Sequence, residues 1–173
     1  VNRRRLMDMG RSEMAKQQHG EPPLALLLCD LDHFKRINDT HGHKAGDMVL
    51  CHVAQVLRRT VRRTDLACRT GGEEFVIVCL DTDEESVLHL AERVRLAIAQ
   101  QAVPVPGTKE VLRCTVTVGM SLAFHSPDGF DAAMQGADAA LYRGKASGRN
   151  RIERAVEGAP TCQASGVGGL AGG

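Results

Sequence analysis

Two acidic clusters are the residues most able to do chemistry. One is Gly71-Gly72-Glu73-Glu74-Phe75; the other is Asp30-Leu31-Asp32. Adjacent carboxylates beside small residues suit a divalent-cation and nucleotide site. Hard oxygens are ligands for Mg²⁺ (or Mn²⁺), and glycines let a phosphate approach the backbone closely. Gly-Gly between the strand-like runs Asp65–Arg69 and Glu74–Leu80 reads as a tight hairpin turn, because glycine takes positive φ without strain. That turn would hold Glu73 and Glu74 at its exposed tip.

The elements around these clusters follow from periodicity. Asn2–His19 reads as an opening helix, ended by Gly20-Glu21-Pro22-Pro23. Leu24–Cys29 is a continuous apolar run too short for a buried helix. It predicts a central strand covered on both faces, closed by Asp30-Leu31-Asp32. Phe34–Asp39 predicts a helical turn, Thr40–His43 a loop, and Ala45–Arg62 an amphipathic helix with a stripe of Val49, Val53, Val56, Leu57 and Val61. After the hairpin, Asp81-Thr82-Asp83 offers an N-cap to a helix striped by Val87, Leu88, Ala91, Val94, Leu96 and Ile98. Pro104, Pro106 and Gly107 mark a loop. Val111–Phe124 predicts one long strand, partly folded back as a hairpin, Asp131–Lys145 a helix and Arg151–Glu153 an edge strand.

These elements imply an α/β (α+β) fold with a ferredoxin-like βαββαβ core. The sheet would be mostly antiparallel, with helices packed over one face. In that unit the first strand and the central hairpin are neighbours. Asp30 therefore comes to the same rim as Glu73 and Glu74 despite their separation in sequence.

The chain has 173 residues and a net charge of +1. That size supports one domain with a full core, over residues 1–157, followed by a Gly-rich tail, 158–173, expected to be disordered. The charge gives no reason to expect nucleic-acid or membrane-surface binding. Arg58, Arg59, Arg62 and Arg63 read as a solvated helix end near the negative pole of its dipole. No apolar run is long enough to span a bilayer. The cysteines at 29, 51, 68, 79, 114 and 162 form no Cys-x-x-Cys pair. The first five fall in strand or helix patterns and read as small buried hydrophobes in a reducing cytoplasm. His41 and His43 read as loop-packing residues rather than metal ligands. The chain opens at Val1 and reads as a domain cut from a longer protein.

Four ordered blocks resemble the GGDEF-type diguanylate cyclases: Leu24–Asp47, Asp65–Phe75 in a Gly-Gly-Glu-Glu-Phe variant, Val116–Gly119, and Ala137–Asn150. The resemblance runs from about Asn2 to Ile152 and implies a fold similar to the nucleotidyl cyclase and polymerase palm. It implies that two GTP molecules, each held by one of two facing domains, are joined into cyclic di-GMP. By position, Asp30 and Glu73 resemble the metal carboxylates, the Leu31 carbonyl a further ligand, and Glu74 a second acidic position. Glu74 would help deprotonate the attacking hydroxyl or hold a second metal. Asn38 and Asp47 resemble the guanine readers. The backbone of His33, Phe34 and Lys35 resembles the phosphate cradle, with Lys35 counted in the catalytic set. Lys145 and Arg149 resemble a cationic phosphate clamp. Arg62-Arg63-Thr64-Asp65 matches an Arg-x-x-Asp inhibitory site for the product, with Arg93 as a secondary contact; the plainer reading of Arg62 and Asp65 is a local i,i+3 ion pair.

The implied enzyme is a magnesium-dependent, product-inhibited diguanylate cyclase. It would work as a homodimer below an upstream sensor domain, either free in the cytoplasm or as the cytoplasmic part of a membrane-anchored sensor. The alternative is a cyclic di-GMP receptor with little or no turnover. Three departures from the family pattern stand out. Thr70 occupies a place usually held by a bulkier residue, and Gly144 replaces an alanine, which should loosen its helix. The family's Asp-x-Leu-Thr segment before the Asn-Arg-Arg pattern is missing.

Overall fold

The computed structural model describes residues 2–17, 21–105, 108–124, 126 and 128–156. The tail expected at 158–173 lies outside the described residues, as do Cys162, Pro106 and Gly107. In order the elements are α1 (Arg3–Lys16), β1 (Leu24–Leu31), α2 (Phe34–His41), α3 (His43–Thr60), β2 (Leu66–Gly71), β3 (Glu74–Cys79), α4 (Glu84–Gln100), β4 (Val103–Pro104), β5 (Val111–Leu112), β6 (Val116–Ala123), α5 (Gly129–Ala146) and β7 (Ile152–Arg154).

All eight residues of β1 are buried. Successive side chains of a strand point to opposite faces, so an uninterrupted apolar strand needs cover on both. Ala25, Leu27, Cys29 and Leu31 enter one core with the apolar stripes of α3 and α4. Leu24, Leu26 and Leu28 enter a second core with Leu6 and Met14 of α1 and Phe130, Ala133 and Ala137 of α5. Each fully buried leucine contributes roughly 1.5–3 kcal/mol. The helices therefore cover both faces, not one. The βαββαβ pattern accounts for α3 and α4; the opposite face of β1 is equally apolar and is closed by α1 and α5.

The main sheet has five strands in the order β2-β3-β1-β6-β7. β1 pairs antiparallel with both β3 and β6, and only the β6–β7 pair is parallel. The hairpin strand next to β1 is thus β3, while β2 lies at the sheet edge. The run expected as one strand from Val111 is broken: β5 pairs with β4 in a separate ribbon, and β6 begins at Val116. The loop expected at Thr40–His43 shrinks to Gly42 between α2 and α3. In α4 the stripe includes buried Leu90, while Leu96 is 39% exposed and faces solvent. Cys29, Cys68, Cys79 and Cys114 are buried, but Cys51 on α3 is exposed, contrary to its reading as a core residue. Burial pushes the Cys29 and Cys79 thiols up to about 12, with a further push on Cys29 from Asp30.

α5 lies directly on β6 because Gly119 lacks a side chain. A Cβ there would meet the Ala137 carbonyl oxygen and stand 2.6 Å from the Leu141 nitrogen, both backbone atoms. Gly144 has a related role: it is buried, and a Cβ would lie 2.6 Å from the Thr117 methyl carbon. The residue expected to loosen α5 lets it seat closely on the sheet. Gly119→Ala should lower the unfolding free energy by about 1–3 kcal/mol through overpacking. Urea denaturation checks this, and an unchanged midpoint would show that α5 can back away from β6 without loss.

Candidate functional site

The two acidic clusters meet at one rim. Asp30 pairs in register with Glu74 of β3 on one side and with Thr117 of β6 on the other. The Leu31 amide donates to the Glu73 carbonyl at 3.3 Å, joining the end of β1 to the hairpin turn. Gly71 and Glu74 are opposed, so the turn itself consists of Gly72 and Glu73. Gly72 has φ +48°, the left-handed conformation that favours glycine, and Arg69 Nε donates to its carbonyl at 2.8 Å. The positive φ expected of the glycine pair falls on Gly72 alone. Glu73 is half-buried and Glu74 exposed.

Like charges directly opposed in an antiparallel pair repel. Lys145, in the last turn of α5, answers this at Asp30: its Nζ lies 2.8 Å from Oδ2, with the Asp30 side chain only 8% exposed. A carboxylate so deeply placed needs a partner. The remaining oxygens of Asp30, Glu73 and Glu74 and the main-chain carbonyls at the strand end are all hard donors. That chemistry fits Mg²⁺, which takes one or two carboxylates and completes its shell with water and phosphate oxygens. Among the described residues no group of three or more His, Cys, Asp or Glu is gathered as a ready-made cage.

α2 begins beside this rim. His33 caps it in the left-handed region at φ +57°, and its carbonyl accepts from Arg36 N–H at 2.9 Å and Ile37 N–H at 3.3 Å. The first amides of a helix have no intrahelical acceptor, so those of Phe34 and Lys35 are available to an anion. Asn38 on α2 lies against α3: its Oδ1 occupies the space that a Cβ on Gly46 would fill. Asp47 is the next residue of α3 and is exposed. The two residues expected to read guanine thus flank one helix–helix contact. His41 is in α2 rather than a loop, with Nδ1 3.5 Å from Glu110, while His43 is exposed at the first position of α3.

Asp32 has a role that sequence reading did not assign. It is 4% exposed. Thr117 Oγ1 donates to its Oδ1 at 2.6 Å; Thr115 Oγ1 and the Asn150 amide donate to Oδ2 at 2.6 and 3.0 Å. This carboxylate ties β1, β6 and the loop after α5 together. In that loop Gly148, Arg149 and Asn150 all have positive φ, at +111°, +62° and +45°. Arg149 N–H donates to the Gly144 carbonyl at 3.0 Å. From α4, Arg95 Nη1 donates to Asn150 Oδ1 at 2.7 Å, while its Nε and Nη2 fork onto Glu92 at 2.8 and 2.6 Å. Hydrogen bonds from Arg95 hold the Glu92 carboxyl below its usual range, and the same bonds raise Arg95. The alternation of Asp30 and Asp32 with Leu31 was a visible signal; the partners of Asp32, far away in sequence, were not.

Arg62, Asp65 and Arg93 meet at a second place. With Thr82, Ser86, His89 and Leu90 they line a cavity of about 200 Å³ between the α3–β2 junction and α4. Arg93 Nη2 donates to the Thr60 carbonyl at the end of α3 at 2.8 Å. The plain ion-pair reading of Arg62 and Asp65 does not hold. Asp65 Oδ2 accepts from the Arg62 amide and Oδ1 from the Leu80 amide, both at 3.2 Å. Among the described residues, no ion pair joins the Arg62 guanidinium to Asp65. Ser86, Leu90 and Arg93 recur at helical spacing on one face of α4, a signal that could have marked the far wall. β2 separates this cavity from the hairpin tip, and its six residues span roughly 20 Å.

Comparison with known proteins gives a consistent set of matches. The family model for the diguanylate cyclase GGDEF domain matches residues 1–151. The chain is 42% identical over 152 residues to diguanylate cyclase DgcP of Pseudomonas aeruginosa, covering 88% of this chain and 22% of that protein. The GGDEF domain of DgcB from Caulobacter crescentus, solved in complex with c-di-GMP, superposes with a TM-score of 0.83 at 33% identity, over 90% of this chain and 91% of that one. The active GGEEF domain of a diguanylate cyclase from Vibrio cholerae gives 0.81 at 34% identity, over 91% and 98%. The chain spans about a third or less of the curated relatives it matches, 33% for the first and 22% for DgcP.

The buried Asp32 carboxylate makes a direct test of how the rim is held. Asp32→Asn puts a donor either against the Thr117 hydroxyl or against the Thr115 hydroxyl and the Asn150 amide together. An unsatisfied buried group costs about 1–3 kcal/mol, so the urea midpoint should fall accordingly. A variant as stable as the parent would mean that the three donors have other partners.

Proposed function

The chain belongs to the diguanylate cyclase GGDEF-domain family, and on that premise we propose that it condenses two GTP molecules into cyclic di-GMP with release of two pyrophosphates. The observation that carries this reading is the rim at which Asp30, seated on Lys145, stands opposite Glu74 and next to the Glu73 turn. In each half-reaction the 3′-hydroxyl of one GTP attacks the α-phosphorus of the other. A new P–O bond forms, the bond to the β-phosphate oxygen breaks, and pyrophosphate leaves with that electron pair. Each domain offers one such rim, so a second copy facing the first completes the reaction, and holding both nucleotides replaces a bimolecular encounter.

Asp30, Glu73, Glu74 and the Leu31 carbonyl are the groups that would hold Mg²⁺ (or Mn²⁺), which offsets charge on the phosphates when bound. Glu74, exposed at the start of β3, would take the proton of the attacking hydroxyl or hold a second metal. The amides of His33, Phe34 and Lys35 orient the phosphates at the start of α2. Lys145 sits on Asp30, and its flexible stem lets the ammonium follow a phosphate. Arg149 completes the clamp. A carboxylate accepts from guanine N1–H and the exocyclic amine while an amide serves a ring acceptor, which suits Asp47 and Asn38.

The 200 Å³ cavity at Arg62, Asp65 and Arg93 supports a product site. Guanidinium groups stack on purines and fork onto guanine or phosphate acceptors. Because the cavity lies at the opposite end of β2 from the turn, bound product would leave the GTP position free. Inhibition would act by fixing two domains so that their nucleotides do not meet, a coupling between distinct sites. The domain would work in the cytoplasm, under an upstream sensor domain. The five described cysteines are all free, which suits that compartment, and no described helix is long and apolar enough to cross a membrane.

Incubation with GTP and Mg²⁺ should yield cyclic di-GMP by mass spectrometry. Glu73→Gln, which keeps shape but removes charge, should lower the rate by ~10² or more. Near-normal turnover of that variant at saturating Mg²⁺ would falsify the metal role of Glu73. Arg62→Ala should weaken cyclic di-GMP binding and relieve inhibition while the initial rate stays close to the parent's. Unchanged product affinity in a calorimetric titration would remove Arg62 from the site.

A further inference from the structure

The loop after α5 is an unusual place for a phosphate-binding arginine. Arg149 lies between Gly148 and Asn150, and all three have positive φ. Left-handed backbone at a residue with a long side chain is sparsely populated and persists only where the surroundings impose it. Two side chains from outside the loop do so. The Asp32 carboxylate accepts from the Asn150 amide, and Arg95 reaches across from α4 to donate to the Asn150 side chain at 2.7 Å and to its carbonyl at 3.4 Å.

Arg95 is itself held. Its guanidinium makes a two-pronged contact with Glu92, one turn earlier on α4, and its side chain is only 17% exposed. A planar fork fixed at two nitrogens directs its third along one line, and that nitrogen lies on Asn150. α4 packs on the sheet through its apolar stripe, against β1 and β6. The Arg95–Asn150 bond is a polar contact made in addition to that packing.

We propose that Arg95 is a positioning residue for the nucleotide site: oriented by Glu92, it fixes Asn150 and so holds Arg149 in the left-handed conformation that aims it at the GTP phosphates. The proposal rests on the reading of Arg149 as part of the phosphate clamp. It assigns to α4, which also lines the Arg62 cavity through Ser86, His89, Leu90 and Arg93, a contact with the substrate loop within a single chain.

The test is a thermodynamic cycle on GTP affinity, measured by calorimetry with Mg²⁺ on the full chain. Arg95→Met keeps the length of the side chain and removes the fork. It should weaken GTP binding about tenfold, the loss typical of one charge-assisted hydrogen bond that no longer orders a group. Asn150→Gly keeps the left-handed backbone accessible and removes only the acceptor; it should do the same, and it carries the test if Arg95→Met does not fold. Arg149→Ala should also weaken GTP binding, and adding Arg95→Met to it should cost nothing more. A merely structural Arg95 would lower the melting temperature and leave this non-additivity absent. Multiplying effects in the double variant, or an unchanged GTP affinity in Arg95→Met or Asn150→Gly beside a weakened Arg149→Ala, overturns the proposal alone. Unchanged affinity in Arg149→Ala overturns the phosphate-clamp reading and the proposal with it.

Discussion

A strand buried on both faces that ends in two carboxylates is the constraint from which the rest of this molecule follows. β1 draws helices onto each side of the sheet, and each further residue at its end must be satisfied in place. Asp30 obtains a cation from α5. Asp32 obtains two threonine hydroxyls from the β6 region and an amide from the loop after α5. The two side chains do different work although they are of one type and two residues apart. Among the described residues Asp30 has a partner on Oδ2 alone, with its other oxygen at the rim. Asp32 has both oxygens occupied by neutral donors and holds the frame. Removal of a buried charge's partners is costly, so frame and rim are joined as one unit.

The same economy of position separates the acidic rim from the cavity at Arg62. The β2–β3 hairpin carries Glu73 at one end and Asp65 at the other. A rigid ribbon between them fixes their distance whatever each end binds. α4 runs alongside, contributing Arg93 to the cavity and Arg95 to the loop that holds Arg149.

Much of this was legible in the chain. The βαββαβ order followed from periodicity, and the rim from the position of two acidic clusters in that order. Periodicity could not supply cover for the second face of β1, because α1 is mostly polar and α5 is built from small residues. Their apolar positions matter only once they lie on the sheet. The break between β5 and β6 at Arg113–Thr115 was hidden because both sides alternate in the same way. Cys51 read as core because helical spacing near it is apolar, yet it falls on the outward face of α3. The partners of Asp32 and the link from Arg95 to Asn150 were invisible for a different reason: each of these bonds spans at least 55 residues of chain. No local pattern encodes such a pairing.

Asp65 carries a consequence for how this protein can change over generations. Its carboxylate ties the start of β2 to the end of β3 through the Arg62 and Leu80 amides, whether or not any ligand is present. Selection for a folded domain alone preserves it. Among the described residues the Arg62 side chain makes no such tie, since only its main chain meets Asp65. If product binds at this cavity as proposed, a lineage under pressure to escape that control would drift at Arg62 and keep Asp65. Descendants that have lost the feedback would still carry half of its signature, and an aspartate at this place is poor evidence of regulation unless the arginine accompanies it.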